Sequence, residues 1–245
     1  MPNPESLVSQ PICDTMEQAV DVIRRAPLRA LRSSQWLEHE LLPSLGLAEG
    51  SDYDFPGFLR PFRNRGLKSF QQPSQFSKYL TFIAEREIET YLEVGCYLGG
   101  TFIVTVEYLS RFRPIRHAAA IDVEIQEPMR RYAALNPAVA LMETPSVAPA
   151  AKEFVQRHHW DLALIDGDHS EEGCFADWQL VRDYATLVSL HDTHSDVCAP
   201  VGAVWERLKA VMPRRRIHEF HEQYVDLIKI NGLRAMGIGV VDLGA

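Results

Sequence analysis

The chain has 245 residues, of which 46% are hydrophobic and 24% charged, so it is long enough and apolar enough to bury one globular core. Its 25 basic and 33 acidic residues give a net charge of −8, which argues against a general affinity for nucleic acid or for a membrane surface. The opening residues, Met1–Gln10, are polar and do not form a signal peptide, and no uncharged apolar run is long enough to cross a bilayer. We therefore expect a soluble, cytoplasmic protein.

The cysteines lie far apart in the sequence and form no CxxC pair. They are Cys13, Cys96, Cys174 and Cys198. This usage favours reduced thiols over a disulfide framework or a structural zinc site, in agreement with a cytoplasmic location.

Helical periodicity begins near the N-terminus. Apolar residues at three- and four-residue spacing predict a helix from Asp14, with Asp14 as its N-cap and Glu17 three residues later as in a capping box. A second helix is predicted over 28–42 and ends at Pro43, which cannot continue it. A third helix begins at Pro73, because proline is favoured in the first turn of a helix.

Between the second and third helices, residues 46–66 are rich in glycine, proline and aromatic residues and show no regular period. Long aromatic loops are often functional lids, but the same composition suits a loop that packs over the core without contacting a ligand. The pattern does not separate these two interpretations. We expect the chain to divide into two parts. A tail, a helical cap and an aromatic lid loop occupy residues 1–72, and the main domain occupies residues 73–245. The helices of the first part are candidates for a contact between two copies of the chain.

From Tyr91 onward, short apolar runs alternate with helical segments, the pattern of βαβ units and a parallel sheet. The predicted strands cover residues 91–94, 117–121, 138–142, 161–165, 186–190, 216–220 and 237–242. The predicted helices cover residues 101–112, 126–135, 148–158, 171–184 and 200–211. No clear helix separates the last two strands, so we expect an antiparallel hairpin to close the sheet.

The first strand leads into a glycine-rich turn, with Glu93 before it and Gly95 and Gly99 inside it. Glycine tolerates positive φ and has no Cβ, so a ligand can approach the backbone closely. The helix that follows would direct its free N–H groups to the same place. A carboxylate beside this turn suits a ligand that carries an amine or a positive charge. The combination favours S-adenosylmethionine (SAM) over a dinucleotide.

Polar residues follow each of the first five strands, at the edge where ligands bind in open α/β sheets. Asp122 follows the second strand, where a carboxylate can accept hydrogen bonds from ribose hydroxyls. Residues 143–146, which end at Ser146, follow the third strand as a rim for adenine. Taken singly, such residues are more often helix caps or solvated strand ends. Their presence at successive strand ends favours an adenosine-containing ligand.

The fourth and fifth strands end in a group of carboxylates and imidazoles. The group consists of Asp166, Asp168, His169, His191, Asp192 and His194. Unpaired carboxylates repel one another and are costly to bury, so we expect a divalent cation, and oxygen-rich ligands favour Mg²⁺ or Mn²⁺. For Asp168, capping of the helix that follows is an equally good explanation. We interpret His169 as a base or a metal ligand because it stands at a strand end.

Two segments of the chain resemble a known family. Residues 91–101 resemble motif I of class I SAM-dependent methyltransferases. Residues 164–173, with His191 and Asp192, are similar to the subgroup of macrocin-type sugar O-methyltransferases and cephalosporin-hydroxylase-like proteins. The resemblance covers roughly residues 73–241. It implies SAM as methyl donor and a Rossmann-like α/β fold, a seven-stranded sheet whose last strand is antiparallel, here with an N-terminal helical cap.

The resemblance also implies roles for individual residues. The residues implied to bind the methyl donor are Glu93, Gly95, Cys96, Tyr97, Gly99, Asp122, Ser146 and Asp166. The residues implied to bind a metal are Asp166, His191 and Asp192. The residues implied to act in catalysis are Asp166, His169 and His191. In one respect the chain departs from the family, whose usual Pro-Gly-Gly turn before the fifth strand is replaced by residues 183–186. The departure alters the local turn and leaves the site residues in place.

These features predict an O-methyltransferase whose acceptor carries neighbouring hydroxyls, such as a sugar or another small natural product. Mg²⁺ would bind two hydroxyls, His169 or His191 would accept the proton, and the loop 46–66 would exclude water. Two alternatives remain. One is a metal-dependent oxygenase, because two histidines and a carboxylate can hold Fe(II); it leaves Glu93 and Asp122 unexplained. The other is a non-catalytic module that binds SAM. We expect no nucleic-acid or membrane partner.

Overall fold

A computed structural model of the chain describes residues 11–51, 54–227 and 232–244. Within these residues, seven strands form one sheet in the order β3-β2-β1-β4-β5-β7-β6. The strands are β1 (Thr90–Val94), β2 (His117–Asp122), β3 (Val139–Glu143), β4 (Trp160–Ile165), β5 (Ala185–Leu190), β6 (Ile217–Phe220) and β7 (Ile238–Asp242). Each predicted strand is present, and its ends differ from the prediction by no more than one residue.

Strands β1 to β5 run parallel to one another, and β7 pairs antiparallel with both β5 and β6. The predicted antiparallel closure of the sheet is therefore confirmed. The strand order reverses at β1, which lies between β2 and β4, and a crevice forms at the carboxyl ends of the strands at such a switch point. This is the Rossmann-like α/β fold of class I methyltransferases.

Helices cover both faces of the sheet. The first five are α1 (Met16–Arg25), α2 (Leu28–Leu31), α3 (Ser34–Trp36), α4 (Leu42–Leu45) and α5 (Pro73–Ala84). The next five are α6 (Gly100–Ser110), α7 (Glu127–Leu135), α8 (Pro149–Gln156), α9 (Glu171–Val181) and α10 (Ala199–Val211). One buried apolar cluster joins α1, α5 and α6 to one face of the sheet, and a second joins α8, α9 and α10 to the other. No helix in the described ranges has the length and apolar character needed to cross a bilayer.

The N-cap of α1 differs from the prediction. Thr15, not Asp14, caps the helix: its hydroxyl accepts a hydrogen bond from the Gln18 N–H, and the Gln18 side chain accepts one from the Thr15 N–H. A capping box is present, but it begins one residue later and uses Gln18 instead of Glu17. Aspartate and threonine are both good caps, so the choice between adjacent candidates depends on where the backbone turns.

The helix predicted over 28–42 is also different, because it is interrupted and does not end at Pro43. A π-helical turn over Leu37–Leu41 leads directly into α4. Pro43 lies in the first turn of α4, directly after a π-type hydrogen bond from the Leu42 N–H to the Leu37 carbonyl, so the helical backbone continues through the proline. The helix ends instead at Gly46, whose φ of +95° is favourable for glycine.

The described part of the aromatic loop 46–66 forms a small apolar core of its own. Phe55 and Phe62 are buried there against Met236 from the other end of the chain. Of the two interpretations of this loop, the contacts support packing rather than a lid. Tyr53, one of its aromatic residues, lies outside the described residues.

The N-terminal helices pack tightly onto the sheet domain. Arg24 of α1 donates two hydrogen bonds of 2.7 Å to the buried carboxylate of Glu107 in α6, and the Tyr132 hydroxyl donates a third of 2.9 Å. Bidentate pairs of this kind fix orientation as well as adding energy. Since α1, α5 and α6 share one apolar cluster, the division between 1–72 and 73–245 stays a prediction.

Candidate active site

A cavity of about 620 Å³ opens at the carboxyl edge of the sheet. Its volume lies within the range of roughly 300–1,000 Å³ that is usual for small-molecule sites. Of the residues predicted to bind the donor, those that line the cavity are Gly95, Tyr97, Asp122, Ser146 and Asp166. The cavity therefore collects residues from the ends of four neighbouring strands, β3, β2, β1 and β4.

The glycine-rich turn after β1 has a backbone that requires glycine at two positions. Gly95 has a φ of +81°, and a Cβ at this position would lie 2.3 Å from the backbone oxygen of Asp166. Gly99 has a φ of +84°, and a Cβ there would lie 2.3 Å from the side chain of Met129. Both glycines thus permit close packing within the protein, and only Gly95 also lines the cavity.

Asp122 at the end of β2 holds the glycine-rich turn in place. Its Oδ2 accepts hydrogen bonds from the backbone N–H groups of Cys96 (2.7 Å) and Tyr97 (3.0 Å). Its Oδ1 accepts a third from the Glu124 N–H at 3.1 Å. A carboxylate offers about four acceptor positions, so Asp122 keeps capacity to accept a hydrogen bond from a ligand in the cavity that it lines.

Glu93 and Cys96, both predicted to contact the donor, are buried and do not line the cavity. The Glu93 carboxylate accepts a hydrogen bond from the Tyr91 hydroxyl. Burial raises the pKa of Glu93 well above its usual value, and the hydrogen bond from Tyr91 offsets only part of that effect. Burial likewise raises the pKa of the Cys96 thiol. Glu93 lies inside β1 and Cys96 lies within the turn, and direct contact of either side chain with a donor stays a prediction.

The segment after β3 and the segment after β2 both line the cavity. Ser146 and Val147 line it from the first segment, and Val123 lines it from the second. The side chains of Val147 and Val123 are 73% and 71% exposed, which is unusual for residues of their size and apolar character. They offer apolar walls for a flat ring. Glu143, at the start of the predicted rim, is engaged by Arg130 and does not line the cavity.

The three predicted metal ligands lie together beside the cavity. Nδ1 of His191 is 3.0 Å from Oδ1 of Asp166 and 3.5 Å from Oδ2 of Asp192. One ligand atom from each residue lies within 4.8 Å of the other two. Nε2 of His191 is buried and has no hydrogen-bond partner among the described residues. Two carboxylates and one imidazole at this spacing fit a divalent cation.

The two carboxylates and the imidazole of this group shift one another's pKa values. Burial disfavours the charged imidazole, but the carboxylates of Asp166 and Asp192 outweigh burial and raise the pKa of His191 well above its usual value. Burial acts to raise the pKa of Asp192 as well, yet the imidazole of His191 lowers it to about 2. The two neighbouring carboxylates therefore favour a positive charge on the imidazole of His191, at the place where a divalent cation would also be favoured.

His169 stands at the exposed side of the same group, with a side chain that is 47% exposed. Its Nε2 lies 3.4 Å from both Oδ1 of Asp166 and Oδ2 of Asp192. Hydrogen bonds to Asp166 and to the thiol of Cys198 raise the pKa of His169 to about 10. No sequence pattern marks Cys198, because it lies six residues beyond Asp192 and reaches the site only through the fold of the chain before α10.

Two residues of the predicted metal group have other partners. Oδ1 of Asp168 accepts a hydrogen bond of 2.8 Å from the backbone N–H of Ser170, which is itself the N-cap of α9. Ser170 and not Asp168 is therefore the helix cap, and Asp168, which also lines the cavity, holds the backbone of the cap residue. His194 stacks on His221 with ring centroids 4.5 Å apart. Among the described residues, neither Asp168 nor His194 belongs to a group with metal-ligand spacing.

A buried carboxylate that the sequence analysis missed lies next to the cavity wall. Asp177 of α9 is 1% exposed, and its Oδ2 would lie 2.9 Å from a Cβ at Gly167, which lines the cavity. Burial raises the pKa of Asp177 to about 6, and neither of its carboxylate oxygens has a hydrogen-bond partner among the described residues. An acidic residue in a helix is ordinarily solvated, so nothing in the sequence marked it.

The strand order, the reversed β7 and the glycine-rich turn beside a cavity define the class of protein, a Rossmann-like class I methyltransferase. A sequence profile described as rhamnosyl O-methyltransferase/CmcI matches residues 57–194, which is more than half of the chain. The chain belongs to this family. The match begins within the aromatic loop and ends just after the predicted metal ligands.

Individual relatives are more distant. The chain is 25% identical over 127 residues to a rhamnosyl O-methyltransferase of Mycobacterium leprae, and the match covers 49% of this chain and 54% of that protein, about half of its length. TomG of Streptomyces achromogenes, an O-methyltransferase involved in tomaymycin synthesis and solved with SAM, is 17% identical with a TM-score of 0.46, covering 71% of this chain and 81% of TomG. MycE of the mycinamycin biosynthetic pathway, solved with Mg, SAH and mycinamycin VI, is 15% identical with a TM-score of 0.47, covering 93% of this chain and 63% of MycE.

Proposed function

We propose that the protein is a SAM-dependent O-methyltransferase that acts on a hydroxyl of a sugar or another small natural product, assisted by Mg²⁺ or Mn²⁺. The observation that carries this proposal is the order of groups along one edge of the sheet. From β3 to β5 the strand ends present Ser146, Asp122, Gly95, Asp166 and Asp192 in turn. Neighbouring strands are about 4.8 Å apart, so this row extends over about 19 Å, enough for a donor and an acceptor side by side.

The donor fits the half of the row from β3 to β4. SAM, when bound, supplies an electrophilic methyl group on a positively charged sulfur. In the proposed arrangement, adenine lies between Val123 and Val147, and the ribose hydroxyls donate hydrogen bonds to Asp122. The methionine portion passes Gly95 towards Asp166, where nearby carboxylates favour a positive charge. This arrangement agrees with the cavity lining, in which all five residues take part.

The other half of the row fits a cation and the acceptor. Asp166, His191 and Asp192 would hold the cation, whose ligand atoms are already gathered within 4.8 Å of one another. When bound, Mg²⁺ supplies Lewis acidity that lowers the pKa of an acceptor hydroxyl. Neighbouring hydroxyls suit such a cation, because Mg²⁺ prefers oxygen ligands and leaves positions open when the protein supplies few. The named activity of the Mycobacterium leprae relative motivates the choice of a sugar.

His169 is the proposed proton acceptor. It lines the cavity and also lies beside Asp166 and Asp192, so it stands between the two halves of the site. The hydrogen bond to Asp166 that raises the pKa of His169 weakens once that carboxylate is engaged as a ligand, and the neutral imidazole can then accept a proton. His191 is buried between two carboxylates, a position better suited to a ligand than to a base.

The described part of the aromatic loop 46–66 does not itself exclude water from the cavity. The described residues of the loop 46–66 do not line the cavity. Phe70, a few residues further on, does line it, and its ring packs edge-on against Phe55 of the loop with centroids 5.7 Å apart. The loop therefore supports an aromatic wall instead of forming one.

The test is transfer of radiolabelled methyl groups from SAM to a panel of glycosides and vicinal diols, in EDTA and after Mg²⁺ is added back. We expect transfer that EDTA abolishes and Mg²⁺ restores, that Asp166→Asn loses, and that the surface variant Asp183→Asn retains. Full transfer in EDTA would remove the cation from the mechanism. Bound iron without affinity for SAM would favour the oxygenase, and tight SAM binding without transfer to any acceptor would favour the non-catalytic module.

A further inference from the structure

A thiol lies at the edge of the proposed cation site. Cys198 is the N-cap residue of α10, and its sulfur lies within 4.8 Å of a ligand atom of His169 and of Asp192. We propose that His169, Asp192 and Cys198 form a site for a thiophilic divalent cation such as Zn²⁺, distinct from the group of Asp166, His191 and Asp192 and sharing Asp192 with it. One ligand atom from each of the three residues lies within 4.8 Å of the other two.

The separation of His169 and Asp192 suits tetrahedral coordination, and the sulfur of Cys198 lies within 4.8 Å of both ligand atoms. Zn²⁺ binds sulfur at about 2.3 Å and nitrogen or oxygen at about 2.0–2.2 Å, so its ligand atoms are separated by about 3.3–3.8 Å. Nε2 of His169 and Oδ2 of Asp192 are 3.4 Å apart, within that range. In the neighbouring group, Oδ1 of Asp166 and Nδ1 of His191 are 3.0 Å apart, close to the edge of about 2.9 Å in an octahedron around Mg²⁺.

The ligand atoms of the two groups also favour different cations. One sulfur, one nitrogen and one oxygen favour a borderline cation, because thiolate is a poor ligand for Mg²⁺ and a good one for Zn²⁺ or Co²⁺. Three protein ligands leave the fourth position of a tetrahedron open. Cys198 is partly exposed and His169 is 47% exposed, so a cation can enter from solvent.

Cys198 differs in this respect from the other cysteines. Cys13, Cys96 and Cys174 are all buried, with exposures of 2%, 4% and 2%. Among the described residues, neither of the groups with metal-ligand spacing contains any of these three. A thiophilic cation that binds to the folded chain is therefore expected to use Cys198.

Occupation of this site has a consequence that rests on the proposed function. A cation bound to His169 occupies the imidazole nitrogen that otherwise accepts the proton from the acceptor. We therefore expect Zn²⁺ to inhibit methyl transfer in the presence of Mg²⁺. The experiments below measure the cation site without methyl transfer, so failure of the proposed function leaves them interpretable.

The first experiment is a Co²⁺ titration of the full chain, followed by absorption spectroscopy. We expect a thiolate-to-cobalt charge-transfer band in the near ultraviolet that saturates at one Co²⁺ per chain. The band should persist in the matched variant Cys174→Ser and disappear in Cys198→Ser. Binding of Co²⁺ without a sulfur band, or an equal band in Cys198→Ser, would overturn the proposal.

The second experiment uses the unmodified protein, so it does not depend on the folding of a variant. Iodoacetamide is added to the native chain, and alkylation of Cys198 is followed by mass spectrometry. Zn²⁺ at ten times its dissociation constant should slow this alkylation about tenfold, since that occupancy leaves about one site in eleven free. Mg²⁺ at the same concentration should not slow it. No protection by Zn²⁺, or equal protection by Mg²⁺, contradicts the proposal.

Discussion

Substitution of Gly95 tests whether the glycine-rich turn is fixed by close packing. A Cβ at Gly95 would lie 2.3 Å from the backbone oxygen of Asp166, more than 1 Å inside the ordinary contact distance of 3.4 Å. The clash is with backbone at the end of β4, so no side-chain rotation relieves it. For Gly95→Ala, the left-handed φ costs about 1–2 kcal/mol and the overpacking a further 1–3 kcal/mol. The expected loss in free energy of unfolding is about 2–5 kcal/mol.

Urea denaturation measures this loss, and the chain provides a matched control. At Gly57 an added Cβ would contact nothing within 4 Å, and φ lies outside the left-handed region. Gly57→Ala should therefore change the free energy of unfolding by less than about 0.5 kcal/mol. Because the displaced backbone belongs to Asp166, Gly95→Ala should also weaken SAM binding. Equal stabilities of the two variants would refute the argument that the turn is fixed by close packing.

Two further predictions concern Asp177 and His169. Burial raises the pKa of Asp177 from 3.8 to about 6. Because the unfolded chain releases this proton at lower pH than the folded chain, the free energy of unfolding falls as the pH rises from about 4 to about 6. The total loss is about 3 kcal/mol. Asp177→Asn should consequently gain stability relative to the unmodified chain at pH 7.5 but not at pH 3.5, measured by urea denaturation; a difference that does not change with pH contradicts this. His169→Asn should reduce kcat about 10²–10⁴-fold with little change in the Kd for SAM, whereas His194→Asn, which alters a histidine stacked on His221, should leave kcat nearly unchanged. An equal loss of kcat in both variants would remove His169 from its proposed role.

Much of the fold followed from sequence because its signals are local. Each strand is a short apolar run bounded by turn residues, and strands alternate with helices at regular intervals, so strand ends were predicted to within one residue. Parallel strands bring their carboxyl ends to one edge, and that rule predicts that Asp122, Asp166 and Asp192 lie along the same edge of the sheet. The reversed β7 followed from the missing helix before it.

The parts that were missed depend on tertiary contacts. Asp177 and Cys198 reach the site from a helix and a helix N-cap, where the direction of a side chain depends on how the helix packs. The glycine spacing predicts ligand approach at Gly99, which stays a prediction, and it does not reveal the packing of Gly99 against Met129 from α7. Pro43 predicts a helix end because it lacks an N–H, whereas the helix continues through a π-helical turn and Pro43 and ends at Gly46. Local patterns leave such alternatives open.

Calorimetric titration of SAM into the full chain tests the central claim most directly, because it requires no knowledge of the acceptor. The claim is that SAM binds in the cavity with its ribose at Asp122. We predict one SAM per chain and about 10–100-fold weaker binding for Asp122→Asn, since a hydrogen bond to a charged group contributes about 1.5–3 kcal/mol. Glu124→Gln changes the same charge on an exposed residue outside the cavity and should bind SAM like the unmodified chain. Absence of binding, or equal affinity in Asp122→Asn, would contradict the account.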